Sequence, residues 1–249
     1  MGCFFMLIGD LVTRKKYGND IVFRIIDIKD DIYYLSGEHL RIKADAYKDD
    51  LMIYTGEIKN NEIDIGLTRD SKLIPGCVLH LDGDERYLRK SLDLYKKHNI
   101  PAVGYYIKEK DMEKQITNLL VEHKPDILVI TGHDSVKIKD GKEEFENSNY
   151  FINAVKKARI YESSKDSLII FAGACQSYYE GLIESGANFA SSPSRKNINV
   201  LDPVCICINV AKSHVNDFID VEDVLKRTVS KGVGLGGIDT RGVARKLYQ

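Results

Sequence analysis

From about Leu73 onward, short apolar runs alternate with segments of helical period, and this alternation constrains the fold more than any other feature of the chain. Residues 78–81, 102–107, Ile127–Thr131 (ILVIT) and 168–173 read as strands. Leu88, Leu92 and Tyr95 recur at helical spacing after the first. Met112, Ile116, Leu119 and Leu120 do so after the second, and Phe151, Ala154, Val155 and Ala158 after the third. Pro101 and Pro125 follow the ends of the first two helical patterns. YYEGLIES reads as a short helix stopped by Gly186, and residues 188–190 and 204–210 as a fifth and sixth strand. Strands that are apolar almost throughout must be covered on both faces. The expected fold is therefore α/β, a mostly parallel sheet with helices on both sides, over residues 73–249.

Residues 1–50 follow a different pattern. GDLVTRKK, DIVFRIIDIKD, DIYYLS and HLRIKAD are short β-branched or aromatic runs punctuated by Gly, Asn and Asp. They predict a small all-β, SH3-like barrel. The apolar start MGCFFMLIGD lacks a basic flank and reads as a first strand rather than a secretory signal. Gly2 has neither Ser nor Thr at position 6, so a myristoylation signal is not expected. Residues 51–72 are dominated by charged and turn-forming types and read as a linker or loose hairpin. Arg14, Lys15 and Lys16 form a small basic cluster, read as a solvated loop, within a barrel expected to recruit a partner or pack on the second domain.

The formal net charge of −1 provides no global basic field, so nucleic acid is not an expected partner. No apolar run approaches the roughly 20 residues of a membrane span, and no membrane association is expected. The five cysteines are odd in number and scattered, which fits reduced thiols in a cytoplasmic compartment. Cys205 and Cys207, two apart in VCICINV, are expected on one face of a strand as core residues. No metal site is expected, because no second cysteine pair or histidine cluster accompanies them. His39, His80, His98, His123 and His214 are read as surface or packing residues. GVGLGG at 232–237 follows a helix and lacks a P-loop lysine, so it reads as a helix end and extended tail.

In parallel sheets, reactive groups gather at the carboxyl ends of strands. Here those ends read LDGDE (Asp82, Asp84), TGHDS (His133, Asp134), GACQS (Cys175) and SSPSR (Ser191, Ser192), whereas YYIKEK says little. His133 and Cys175 follow successive strands with one helical pattern between them, as a right-handed crossover requires. An imidazole beside a thiol lowers its pKa and can protonate a leaving amine. Gly173 and Ala174 are expected to let a substrate backbone approach the sulfur, and the short helix beyond to favour an anion at its N-terminus. Asp84 is also a candidate helix cap. By composition alone, one His and one Cys at strand ends are as readily structural as catalytic.

A Cys with a His about 50 residues upstream also marks caspases, although only ACQ matches their local signature. Over nearly the whole chain, GDLVTRK, VFRIIDI, VLHLDGDERYL, PDILVITGHD, FAGACQS, NFASSPSR, LDP and GLGGIDTRGVAR resemble the YabG-type sporulation-specific proteases of spore-forming Firmicutes. The resemblance implies a cysteine endopeptidase that needs no cofactor and acts in the cytoplasm of the mother cell or forespore, or in association with the spore coat. Its protein substrates would be coat or germination proteins, cleaved next to arginine. It also implies kinship with the caspase-like fold. Caspase-like peptidases carry Gly after the histidine, whereas here Gly132 precedes His133 and Asp134 follows it. The oxyanion donors are then expected from the amides of Cys175 and of the segment after His133. Gly132 and Asp134 are the candidates to serve the oxyanion or orient the imidazole, and Ser191 and Ser192, with Asp82 and Asp84, are candidates to bind substrate. Asp82, ahead of Asp84, is the candidate carboxylate for a basic side chain, with Asp134 and Asp202 next. Arg241 or Arg245, in IDTRGVARK, is a candidate self-cleavage site or substrate mimic. Two alternatives stand beside this reading. One is a non-catalytic coat scaffold, and the other a Cys-dependent glutamine amidotransferase using His214.

Overall fold

The computed structural model describes residues 6–58 and 72–248. They fall into two compact units, 1–62 and 63–249.

The first unit is one antiparallel sheet of five strands: β1 (Leu11–Arg14), β2 (Phe23–Lys29), β3 (Ile32–Gly37), β4 (Lys43–Tyr47) and β5 (Leu51–Ile53), in the order β4-β3-β2-β1-β5. Val12, Phe23, Ile25, Tyr33, Leu35, Ala46 and Leu51 form its core. Asp30 and Asp31 both have positive φ, 48° and 63°, which closes the β2–β3 hairpin with the twist its strands require. A bulge between Ile25 and Asp27 shifts the register. Among the described residues the first strand begins at Leu11; residues 1–5 of the apolar start, Cys3 included, lie outside the described residues. The sheet also runs past residue 50, because β5 pairs with β1. Arg14 binds Asp50 at 2.8 Å, Lys15 Nζ donates to Asp49 O and the Lys16 N–H donates to Asp50. The basic cluster therefore ties β1 to the turn before β5. Of the stretch read as a linker, 59–71 lies outside the described residues.

The second unit is mixed α/β. In chain order it contains β6 (Leu73–Ile74), β7 (Val78–Asp82), α1 (Glu85–Lys97), β8 (Ala102–Tyr106), α2 (Glu109–His123) and β9 (Ile127–Thr131). A hairpin follows, β10 (Val136–Lys139) and β11 (Lys142–Phe145), and then α3 (Ser148–Tyr161) and β12 (Ile169–Ala172). The chain ends through α4 (Tyr179–Glu184), β13 (Phe189–Ala190), α5 (Asp202–Lys212), α6 (Val221–Lys226), β14 (Gly236–Gly237) and β15 (Arg245–Lys246).

The main sheet runs β14-β13-β12-β9-β7-β8. All neighbours are parallel except β13–β14, and β15 pairs separately with β6. Alternate residues face opposite layers. Val78, Ile127, Val129, Ile169 and Phe171 pack with Leu94, Tyr95 and α5, while Leu79, Leu81, Leu128, Ile130 and Ile170 pack with α2 and α3. Within this sheet, β8 follows β7 on one side of it, whereas β9 and β12 lie on the other. In parallel sheets ligand crevices form at such a reversal, where neighbouring connections leave in opposite directions, here between β7 and β9.

Residues 204–210 form a helix rather than the expected strand, so Cys205 and Cys207 lie on α5. Pro203 in the first turn starts it, with a φ already helical. A buried helix is apolar all round, so its period cannot be told from that of a buried strand, and tertiary burial overrides the β preference of Val and Ile. The alternation of apolar runs does not predict the β10–β11 hairpin. Its Asp140-Gly141 turn, with φ of 50° and 74°, is a hairpin signal in the sequence, but the flanking charges hid the strands.

Candidate active site

The carboxyl ends of β7 and β9 meet through a chain of hydrogen bonds. Asp82 is fully buried. It accepts from the Thr131 hydroxyl and from the Asp84 N–H, both at 2.9 Å. His80 sits beneath, its Nε2 2.9 Å from Thr131 Oγ1 and its Nδ1 3.3 Å from the Tyr95 hydroxyl. His80 is thus a packing residue inside the sheet. Asp82 is committed to this interior network and offers no open carboxylate to an incoming guanidinium.

Asp84 has two functions. Its Oδ1 caps α1, accepting from the N–H groups of Arg86 and Tyr87, and its Oδ2 lies 2.9 Å from His133 Nε2. Tyr87 packs against the imidazole with ring centroids 5.4 Å apart. Burial pushes the Asp84 carboxyl up, but the hydrogen bond and charge of His133, helped by the Tyr87 N–H, outweigh it and hold the pKa below the ordinary carboxylate value. With Nε2–H given to Asp84, the neutral ring keeps its lone pair on Nδ1. That atom is buried and has no hydrogen-bond partner among the described residues.

Glu109, at the start of α2, completes the support. Its Oε1 accepts the His133 N–H at 2.9 Å. A Cβ on Gly83 or Gly132 would collide with the Glu109 carboxyl, so glycine at both positions is what lets that side chain in. This residue was missed from sequence; it belongs to YYIKEK, and its spacing from His133 carries no pattern.

Asp134 turns to a different task. It accepts from the N–H groups of Ser135 and Asn147 and from the hydroxyls of Ser148 and Ser177. Asn147 in turn donates to His133 O. Burial nevertheless pushes the Asp134 carboxyl up against these four donors. Asp134 thereby links the loop after β9, the start of α3 and the loop that carries Cys175. The carboxylate on the imidazole is Asp84.

Cys175 follows β12, the strand beside β9, and is 1% exposed. Its sulfur lies against Ile198, accepting the N–H at 3.3 Å and facing the carbonyl at 3.7 Å. The small residues before it serve internal packing. Gly173 has φ +109°, and a side chain there would meet Leu182 and both the carbonyl and hydroxyl of Ser191. The space expected for a substrate backbone is therefore filled by the protein. Ser191 donates to Ala174 O and Ser192 to Lys196 O, and both serines are fully buried. The helix α4 begins four residues beyond the thiol, with Glu180 in its first turn.

Comparison with known proteins identifies the chain. A family model described as YabG peptidase U57 matches residues 7–72 and 59–249. The chain belongs to the YabG peptidase family. It is 42% identical over 283 residues to the sporulation-specific protease YabG of Bacillus subtilis (strain 168), covering 96% of each chain. No solved structure matches. As a YabG-family member the protein is a peptidase. No described helix is long and apolar enough to cross a membrane. No described group of His, Cys, Asp or Glu side chains could hold a metal ion.

Other candidates of this YabG-family chain lie at the opposite edge of the sheet. Arg245 pairs with Asp126, the residue before β9, and Arg241 with Asp166, shortly before β12. His214 bridges to Ala244, beside that same amino edge. These residues sit a strand length away from His133 and Cys175, which follow the carboxyl ends. Asp202 is buried and accepts from the N–H groups of Asn199 and Ser230.

Proposed function

We propose that this peptidase is a sporulation-specific cysteine endopeptidase that processes spore coat or germination proteins next to arginine, with His133 and Cys175 as its dyad. The observation that carries the reading is the His133 imidazole. It is fixed at Nε2 by Asp84, its Nδ1 is left without a partner among the described residues, and it follows β9 as Cys175 follows the neighbouring β12. The same pairing of adjacent strands supports kinship with the caspase-like fold.

In this mechanism His133 Nδ1 takes the Cys175 proton as the sulfur attacks the scissile carbonyl carbon. The carbonyl electron pair moves to oxygen and returns as the C–N bond breaks, and the amine leaves with the proton from His133. Water then attacks the thioester, again through His133, and frees Cys175. Asp84 stabilises the imidazolium and holds its orientation. The oxyanion donors are assigned to the Cys175 amide and the segment after His133, since the His133 N–H is taken by Glu109. Gly132 admits Glu109, and Asp134 holds the two catalytic loops in register.

The test is incubation of the purified protein with a spore-coat extract and with an arginyl peptide. Wild type should cleave both. Cys175→Ala should cleave neither, and His133→Ala should come close to that loss, because the two act as a unit. Undiminished cleavage by Cys175→Ala would overturn the cysteine mechanism.

A further inference from the structure

The loop that covers Cys175 carries an arginine, and that arginine is already bound. Arg195 Nη2 lies 2.9 Å from Glu143 Oε2 and 2.9 Å from Glu180 Oε2, and its Nε lies 3.1 and 3.2 Å from the two oxygens of Glu143. Its guanidinium carbon lies 5.2 Å from the Phe145 ring and 5.8 Å from the Tyr178 ring. Those rings stack on each other at 5.2 Å. Nη1 donates to Ser192 O. Two carboxylates and two rings thus enclose one guanidinium, whose side chain is 19% exposed. That is the donor geometry and π-face that arginine matches and lysine does not.

The parts of this box come from the two catalytic loops. Glu143 and Phe145 belong to β11, in the hairpin after His133, and Tyr178 and Glu180 follow Cys175. Val136 N–H donates to Gln176 Oε1, which joins the loops directly. Three residues beyond Arg195, Ile198 lies on the sulfur. An open groove of about 650 Å³, lined by Glu143, Glu144, Phe145, Ser148, Asn149 and Tyr178, adjoins the box and has room for an extended segment. By contrast, Asp82, Asp134 and Asp202 are buried with their oxygens engaged.

We infer that the Glu143–Glu180–Phe145–Tyr178 box is the subsite for the substrate's arginine side chain, and that Arg195 occupies it in the resting protein. The inference rests on the arginine-directed reading above and names the residues that would impose it. A substrate arginine must displace Arg195. Release of Arg195 frees the loop that holds Ile198 against Cys175, so specificity and access to the thiol are coupled in one exchange.

Binding and cleavage test it separately. The probes are Nα-acetyl-arginine methylamide and its neutral citrulline counterpart, titrated calorimetrically into the Cys175→Ala full chain. Arg195→Ala should bind the arginine probe at least about tenfold tighter than the parent, since the competing side chain is gone. The citrulline probe should bind no better than before. Adding Glu143→Gln and Glu180→Gln to Arg195→Ala should weaken the arginine probe by at least about tenfold. In the Cys175 background, Arg195→Ala should lower KM for an arginyl peptide. The triple variant should raise KM relative to Arg195→Ala, without a matching change for a citrulline peptide. Glu143 and Glu180 are at the surface; should Arg195→Ala not fold, Arg195→Lys keeps the charge but loses the fork, and is expected to bind the arginine probe more tightly than the parent. Arginine binding that ignores Arg195 and both glutamates, or arginyl cleavage unchanged in the triple variant, would overturn the subsite. Cleavage that survives Cys175→Ala would instead overturn the cysteine mechanism, and the calorimetry would still decide the box.

Discussion

Asp84 spans the crevice between β7 and β9, capping α1 with one carboxylate oxygen and holding His133 Nε2 at 2.9 Å with the other. A helix cap and an imidazole orienter are thus the same side chain. Folding α1 in place is what aims the histidine.

Asp84→Asn separates the two tasks. Asparagine caps about as well as aspartate, so the melting temperature should fall less than in Asp84→Ala. It cannot stabilise an imidazolium, and kcat should fall by about a hundredfold or more with KM nearly unchanged. Asp84→Ala should show the same kinetic loss and also cost about 1 kcal/mol of stability. Wild-type kcat in Asp84→Asn would remove Asp84 from the site.

The pH dependence follows from the lowered Asp84 pKa. A carboxyl depressed by folding contributes stability that is fully present above its unfolded value of 3.8 and is lost as pH falls through the lower folded value. The stability difference between wild type and Asp84→Ala should hold steady from about pH 7 to about pH 5 and shrink below the unfolded value. Urea titrations across that range read it directly. A difference that shrinks already near neutrality contradicts the assignment.

Gly132→Ala should drive the Glu109 carboxyl away and free the His133 N–H, at a cost of about 1–3 kcal/mol with a loss of activity. Combined with Glu109→Ala, the same glycine change should cost clearly less, because the obstacle is already gone. Additive losses in that double-mutant cycle would show that the two residues do not meet.

Asp134→Ala leaves four donors from three segments without their acceptor, and should destabilise the protein by about 3 kcal/mol. The loop carrying Cys175 should loosen as Ser177 lets go. Faster hydrogen exchange at residues 174–178 than in wild type is the expected readout, and unchanged exchange there would deny Asp134 a positioning role.

Thiol labelling should follow burial. Burial pushes the Cys205 thiol up to about 12 and Cys207 higher still, so neither should react with iodoacetamide at neutral pH until the protein unfolds. Cys175 is covered by Ile198 in the resting protein, so Arg195→Ala should label it faster than wild type. Equal rates would mean that the loop does not gate the sulfur.

Strands β7, β8, β9 and β12 and helices α1, α2 and α3 were legible because each has one periodicity and enough length to show it. The Asp84 cap was legible because capping is local. Helix α5 was not, since full burial erases the contrast between its faces. Glu109 was not, because its partner His133 lies on a different strand end and only the parallel pairing of β7, β8 and β9 brings them together.

Chain order alone suffices for the alternating elements, the polar residues at the carboxyl ends of the strands, and the order of His133 before Cys175. These follow from local patterns: periodicity, caps and the chemistry of single side chains. Which carboxylate holds the imidazole is settled only when the sheet is assembled, which gives Asp84 to His133 and turns Asp134 toward Ser148 and Ser177. Assembly also buries Asp82 and sets Arg195 between Glu143 and Glu180. Each of those pairings joins residues far apart in the chain, and a hydrogen bond depends on angstroms in space, which the spacing along a sequence does not encode until the sheet order is formed.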